Sequence, residues 1–182
     1  AERYRERIMQ RLRTYTDSLF RTRQKPSIIL TGDFNAWYPE RCFTRDLNVL
    51  LTPGTSPHPS SRTENGKTTL VPDTLTAFSP HRLYLLTYKK EARNHIRGTY
   101  KFQGEWNQLD HFIISGNLLD HATQTPPITP FTTVHNCRIV DFPFLLKNEK
   151  NSEGVRPYRT FLGTFHQGGY SDHLPLILDL YY

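Results

Sequence analysis

The sequence predicts an α/β fold, and three stretches carry that expectation. Tyr4, Ile8, Leu12, Tyr15 and Leu19 recur at spacings of four, four, three and four, the period of an amphipathic helix. Ser27-Ile28-Ile29-Leu30-Thr31 is a short, β-branched apolar run that closes on Gly32-Asp33-Phe34-Asn35, as a buried strand feeding polar groups into a crevice does. Residues 174–182 alternate, with Leu174, Leu176, Leu178 and Leu180 on one face and Pro175, Ile177, Asp179 and Tyr181 on the other.

The helix is the first element. Arg3, Arg7, Arg11 and Arg13, with Glu2 and Glu6, fill the rest of its circumference and read as a solvated face. Pro26 ends the pattern and hands over to the strand that carries Asp33. Alternation sends Asp33 and Asn35 to one side, while Gly32 permits a tight turn. The same residues also suit an ordinary polar turn, where Asp and Asn are favoured. Next comes Ala36-Trp37-Tyr38-Pro39, whose two large rings either stack on a substrate base or sugar or pack into the core.

Residues 40–51 are expected to be helical, and 52–69, rich in Pro, Ser, Thr and Gly, to form a loop. Residues 82–101 hold Arg82, Lys89, Lys90, Arg93, Arg97 and Lys101 against Glu91. Such a cluster, just before Trp106, either tracks a phosphate backbone or keeps an exposed segment solvated. Asp110 opens the strand Asp110-His111-Phe112-Ile113-Ile114-Ser115, on which His111 points away from Asp110 and is read as structural. Residues 124–130 form a proline-rich connection, 131–134 and 137–140 two strands, and 147–160 a polar surface loop.

Bulk composition narrows the function classes. With 182 residues, 36% hydrophobic and 13% aromatic, the chain is one domain's worth with a real core. No apolar run approaches the roughly 20 residues of a membrane span. Cys42 and Cys137 are too few for a disulfide framework and are expected as buried free thiols. The net charge of +6 invites a nucleic-acid partner, but residues 1–25 contribute +5 of it, so the charge argument concerns mainly one helix. The remaining histidines lack the spacing of a zinc site.

Gly32-Asp33-Phe34-Asn35, then Leu109-Asp110-His111-Phe112-Ile113-Ile114-Ser115, then Ser171-Asp172-His173-Leu174-Pro175, in that order, resemble the endonuclease/exonuclease/phosphatase superfamily. The runs from Gly98-Thr99-Tyr100 to Asp110 and from Gly168 to His173 look like a bacterial branch of it. The superfamily includes deoxyribonucleases, apurinic-site endonucleases, neutral sphingomyelinases and inositol polyphosphate phosphatases. The resemblance implies a four-layer α/β/β/α sandwich, of which this chain is expected to be the carboxyl-terminal half: one mixed sheet with its covering helices. A single partial domain over residues 1–182 would lack the family's metal-binding Glu, and so show weak Mg²⁺ binding and little turnover alone. Its uncovered sheet face would seek the missing amino-terminal half or a second copy of the chain.

By the same resemblance the parent protein is a metal-dependent phosphodiester hydrolase, with a nuclease as the first expectation. Asp33 would orient or deprotonate the attacking water, and Asn35 would hold that water and a phosphate oxygen. Asp172 would sit beside Mg²⁺, or Mn²⁺ in its place, because hard cations prefer oxygen ligands. His173 would donate to the scissile phosphate, and Asp110 would fix its tautomer. Thr99 and Trp106 are expected to contact the substrate. The rivals are a lipid or inositol-phosphate phosphodiesterase or phosphatase on the same scaffold, and a non-catalytic binding module. The compartment is left open.

Overall fold

The computed structural model describes residues 2–52, 61–64, 67–70, 78–119, 130–149 and 154–181. One long helix, α1 (Glu2–Thr22), is followed by β1 (Ile29–Asp33), β2 (Leu50–Leu51), β3 (Ser61–Glu64), β4 (Lys67–Leu70) and β5 (Leu83–Leu85). Then come β6 (Tyr100–Phe102), β7 (Glu105–Asn107), β8 (Asp110–Ser115) and β9 (Cys137–Ile139). The chain closes with β10 (Leu146–Asn148), β11 (Val155–Pro157), β12 (Phe161–Leu162), β13 (Phe165–His166) and β14 (Leu176–Leu178). The protein is thus mixed α/β, with a four-stranded mixed sheet in the order β1-β8-β5-β2. In it β2 runs parallel to β5, and the other pairs are antiparallel.

Side-chain alternation gives this sheet two apolar faces. On one face Leu83, Leu85 and Ile113 pack with Met9, Ile28, Phe43 and Leu47, so α1 and the segment after β1 cover it. On the other, Tyr84, Leu86 and Ile114 pack with Cys137, Leu118 and Leu178, which brings the β9–β14 pair against the sheet. Among the described residues the layers are therefore helix, mixed sheet and a two-stranded sheet. A third cluster, Ile96, Ile139 and Leu174 with Trp106 and Leu146 around it, continues the second face towards β10 and β11.

The helix buries only part of the row its apolar spacing predicts, Leu12 and Leu19, and completes it with residues one position on. Tyr4, Ile8 and Tyr15 are 73%, 57% and 66% exposed. The packed row is Met9, Leu12, Thr16, Leu19 and Phe20, with the Thr16 hydroxyl satisfied by the Arg13 carbonyl at 3.0 Å. Polar ties along one flank set this rotation. Gln10 Nε2 donates to Asp46 Oδ1 at 3.1 Å, and Arg13 Nη1 donates to the Arg45 carbonyl at 3.0 Å. Both acceptors lie on Cys42–Leu47, a π-helical turn that occupies the middle of the expected 40–51 helix. Asn48 closes the turn at φ 59° and Val49 leads into β2.

Other expectations change in the same direction, from loop to short hairpin. Within 52–69 the structure shows β3 paired with β4, and residues 53–60 and 65–66 lie outside the described residues. Within 147–160, expected as a loop, β10 pairs with β11, while 150–153 lie outside. The expected strand at 131–134 reduces to a bridge from Phe131 to Tyr181 and a 3₁₀ turn at Val134–Asn136. Most of the connection at 124–130 also falls outside the described residues. The final strand is confined to β14, and Leu174 ahead of it is buried.

Both cysteines are free and buried, and burial pushes the Cys137 thiol up to about 11. No helix is long and apolar enough to cross a membrane among the described residues. The rotated helix gives a direct test. Met9→Ala should cost about 2–4 kcal/mol in urea unfolding, whereas Ile8→Ala should stay within about 0.5 kcal/mol; equal losses would restore the row predicted from spacing.

Candidate active site

The ladder between β1 and β8 sets two carboxylates face to face, Asp33 opposite Asp110. Like charges directly opposite each other on a sheet repel, so the pair needs donors or a cation. Asp33 takes its donors locally. Its Oδ1 accepts from the Asn35 backbone N–H at 2.8 Å, and its Oδ2 from the Asn35 Nδ2 at 3.3 Å. This closed turn holds Asn35 at φ 49°, a conformation Asn tolerates better than most residues. Asp110 takes its donors from elsewhere in the chain. His173 Nδ1 lies 2.7 Å from Asp110 Oδ2, and the Thr99 hydroxyl donates to the same oxygen.

Backbone pairing brings residue 173 to this point. The Leu174 N–H donates to the Thr99 carbonyl at 2.7 Å, and Tyr100 and His173 form a β-bridge. The His173 N–H also donates to Ser171 Oγ at 3.1 Å. The Tyr100 ring lies against the imidazole, centroids 4.8 Å apart, and the Arg159 guanidinium covers Tyr100 at 5.2 Å. Gly98 makes the close approach of this segment to β7 feasible, because a Cβ there would meet the Asn107 carbonyl at 2.4 Å. Ligand-capable atoms of Asp33, Asp110 and His173 all lie within 4.8 Å of one another. An open cleft of about 260 Å³, lined by Thr31, Gly32, Asp110, Ser171 and His173, gives access to Asp110 and His173.

The structure thus gathers Asp33, Asn35, Asp110 and His173 on one rim. Asp172 is exposed on the bend just before His173 and stands outside the three-residue cluster. Thr99 was expected to touch substrate, but it is fully buried beneath Asp110 and can only position that carboxylate. Trp106 packs beside Ile96 and Leu174 with the Lys101 ammonium 5.3 Å from its ring, and it does not line the cleft at Asp110 and His173.

Two further groups shape the site. Arg5 of α1 donates to the Asn35 carbonyl and pairs with Glu40 at 3.2 Å, while Glu40 Oε1 accepts from the Trp37 N–H at 2.9 Å. The helix therefore pins the loop behind Asp33, a role that nothing in a run of Arg-rich sequence marks out. His111 is the second. Its Nε2 donates to the Ala36 carbonyl at 2.8 Å, which leaves Nδ1 to accept from the Thr87 hydroxyl at 2.6 Å. Phe34 and Phe43 meet its ring edge-on. Burial holds its pKa below the ordinary histidine value, in keeping with a neutral structural imidazole.

A model of the endonuclease/exonuclease/phosphatase family matches residues 76–181. The chain belongs to the endonuclease/exonuclease/phosphatase family. No curated protein and no solved structure gives a significant match. Members of this family hydrolyse phosphodiester or phosphate-ester bonds, typically with divalent metals. The matched stretch contains Thr99, Asp110, Asp172 and His173, whereas Asp33 and Asn35 precede it; the β1–β8 register sets Asp33 opposite Asp110.

Two outcomes are expected here. Above about pH 6.5 His111 is neutral in both folded and unfolded chains; below it, the unfolded chain takes up a proton that the buried ring refuses. Stability should therefore fall as pH drops from about 6.5 towards 5, and His111→Asn should flatten that slope in urea titrations. Separately, Thr99→Val should cost about 1–3 kcal/mol, because it removes a buried donor from Asp110.

Proposed function

We propose that the protein is a metal-assisted phosphodiesterase whose substrate is nucleic acid. The observation that carries this reading is the Asp110–His173 pair at 2.7 Å beside Asp33, three groups drawn from distant parts of the chain onto one open rim. Asp33 is assigned to orient the attacking water and accept its proton. Asn35, exposed beside it, is assigned to hold a non-bridging phosphoryl oxygen. With Nδ1 engaged by Asp110, His173 presents Nε2 to the phosphate, and a donor placed there stabilises charge where it develops. Asp110 and Thr99 are positioning residues that fix the imidazole.

The donor set suits a hard divalent cation. Asp33 and Asp110 face each other and offer carboxylate oxygens, whereas His173 Nδ1 is already committed. Asp33 and Asp110, whose carboxylates belong to the one cluster of ligand-capable atoms among the described residues, would hold Mg²⁺ or Mn²⁺, with Asp172 next to His173 as a further exposed oxygen donor; the ion would offset charge on the phosphoryl and leaving oxygens. A second reading, a lipid-directed phosphodiesterase, draws on one feature. The β12–β13 hairpin leaves Phe161, Leu162 and Phe165 exposed a few residues before His173, as an apolar tip entering a lipid surface would be.

Parallel assays on plasmid DNA, sphingomyelin and inositol phosphates separate these readings. DNA cleavage should require Mg²⁺ and stop on chelation. His173→Ala and Asp33→Asn should each lower kcat by about 10²–10⁴ without unfolding the protein. Hydrolysis of the lipid or inositol substrates with DNA left intact would contradict the nuclease assignment.

A further inference from the structure

A second concavity lies on the other side of the same rim. It encloses about 590 Å³, within the usual range for small-molecule sites. Gln108 and His111, which flank Asp110, contribute to its lining, and Trp37 stands two residues beyond Asn35. Alternation along β8 turns Asp110 to one face and His111 to the other, so cavity and catalytic rim share one stretch of backbone. We propose that this cavity is a subsite for the base of a nucleotide next to the scissile phosphate, an inference that rests on the nuclease reading above.

The lining fits a flat ring with an anionic tail. Trp37 is 59% exposed at the cavity, yet its backbone is fixed by Glu40, which in turn pairs with Arg5. An exposed indole on an already ordered backbone can serve as a stacking platform for a base. Tyr88 stands across the lining, braced edge-on by Tyr38 at 5.2 Å between centroids, and Trp106 adds a further ring. Lys89, Lys90 and Arg97 also line the cavity against a single acid, Glu91, so an anion is favoured there. Inositol phosphates would use these cations but leave the aromatic walls idle. A choline headgroup would meet like charge.

Trp37 and Trp106 are the chain's two tryptophans, and both line the cavity, so tryptophan emission reports directly on its occupancy. In the Asp33→Asn protein, dAMP should quench this emission saturably, whereas ribose 5-phosphate and inorganic phosphate should not. Trp37→Leu, at an exposed position, should raise KM for an oligodeoxynucleotide about tenfold or more with a much smaller change in kcat. Tyr88→Phe should retain near-native KM, and Tyr88→Leu should not. Equal quenching by dAMP and ribose 5-phosphate, or an unchanged KM in Trp37→Leu, would overturn the subsite. Saturable dAMP quenching in a protein that cleaves no nucleic acid would instead keep the base pocket and remove the nuclease reading.

Discussion

One carboxylate oxygen, Asp110 Oδ2, organises the rim of the candidate site. It receives His173 Nδ1 and the Thr99 hydroxyl together, and so ties β8 to the segment before β6 and to the approach to β14. Charge-assisted hydrogen bonds of this kind are shorter and stronger than neutral ones, and a half-buried setting screens them less than open water does. Without these donors, Asp110 would face Asp33 across the ladder with only water to offset the repulsion. The constraint therefore explains both why three distant segments meet and why an imidazole stands where they do.

The rest of the fold supports that point from two sides. From the helix side, Arg5 and Glu40 lock the loop after β1, and His111 bridges the Ala36 carbonyl to Thr87 beneath it. From the other side, the β9–β14 pair and the cluster around Ile96 and Leu174 hold the strand that leads out of His173. Buried His111 beside partly exposed Asp110 follows from parity alone, since neighbours on a strand face opposite ways.

Much of the candidate site's geometry was legible in the sequence because its members sit at strand ends with distinctive neighbours. Asp33, Asn35, Asp110 and His173 follow or open apolar runs, and those runs fix where the acids and imidazole emerge. Thr99 was visible as a hydroxyl beside Gly98, but its burial depended on how closely that segment approaches Asn107, which spacing cannot convey. The helix was legible as a helix and misread in its rotation. The predicted and the packed rows share Leu12 and Leu19, and contacts with Arg45 and Asp46 some thirty residues away accompany the turn that brings in Met9 and Thr16 in place of Ile8 and Tyr15. Hairpins such as β10–β11 were missed because three-residue strands are too short to display alternation amid polar residues.

The account depends on His173 being held through Nδ1 by Asp110, and NMR of the imidazole nitrogens measures that bond most directly. A slowly exchanging Nδ1 proton on His173, lost in Asp110→Asn while the other histidine signals stay in place, is the expected result. A His173 spectrum indifferent to Asp110→Asn would contradict it, and the catalytic assignment would go with it.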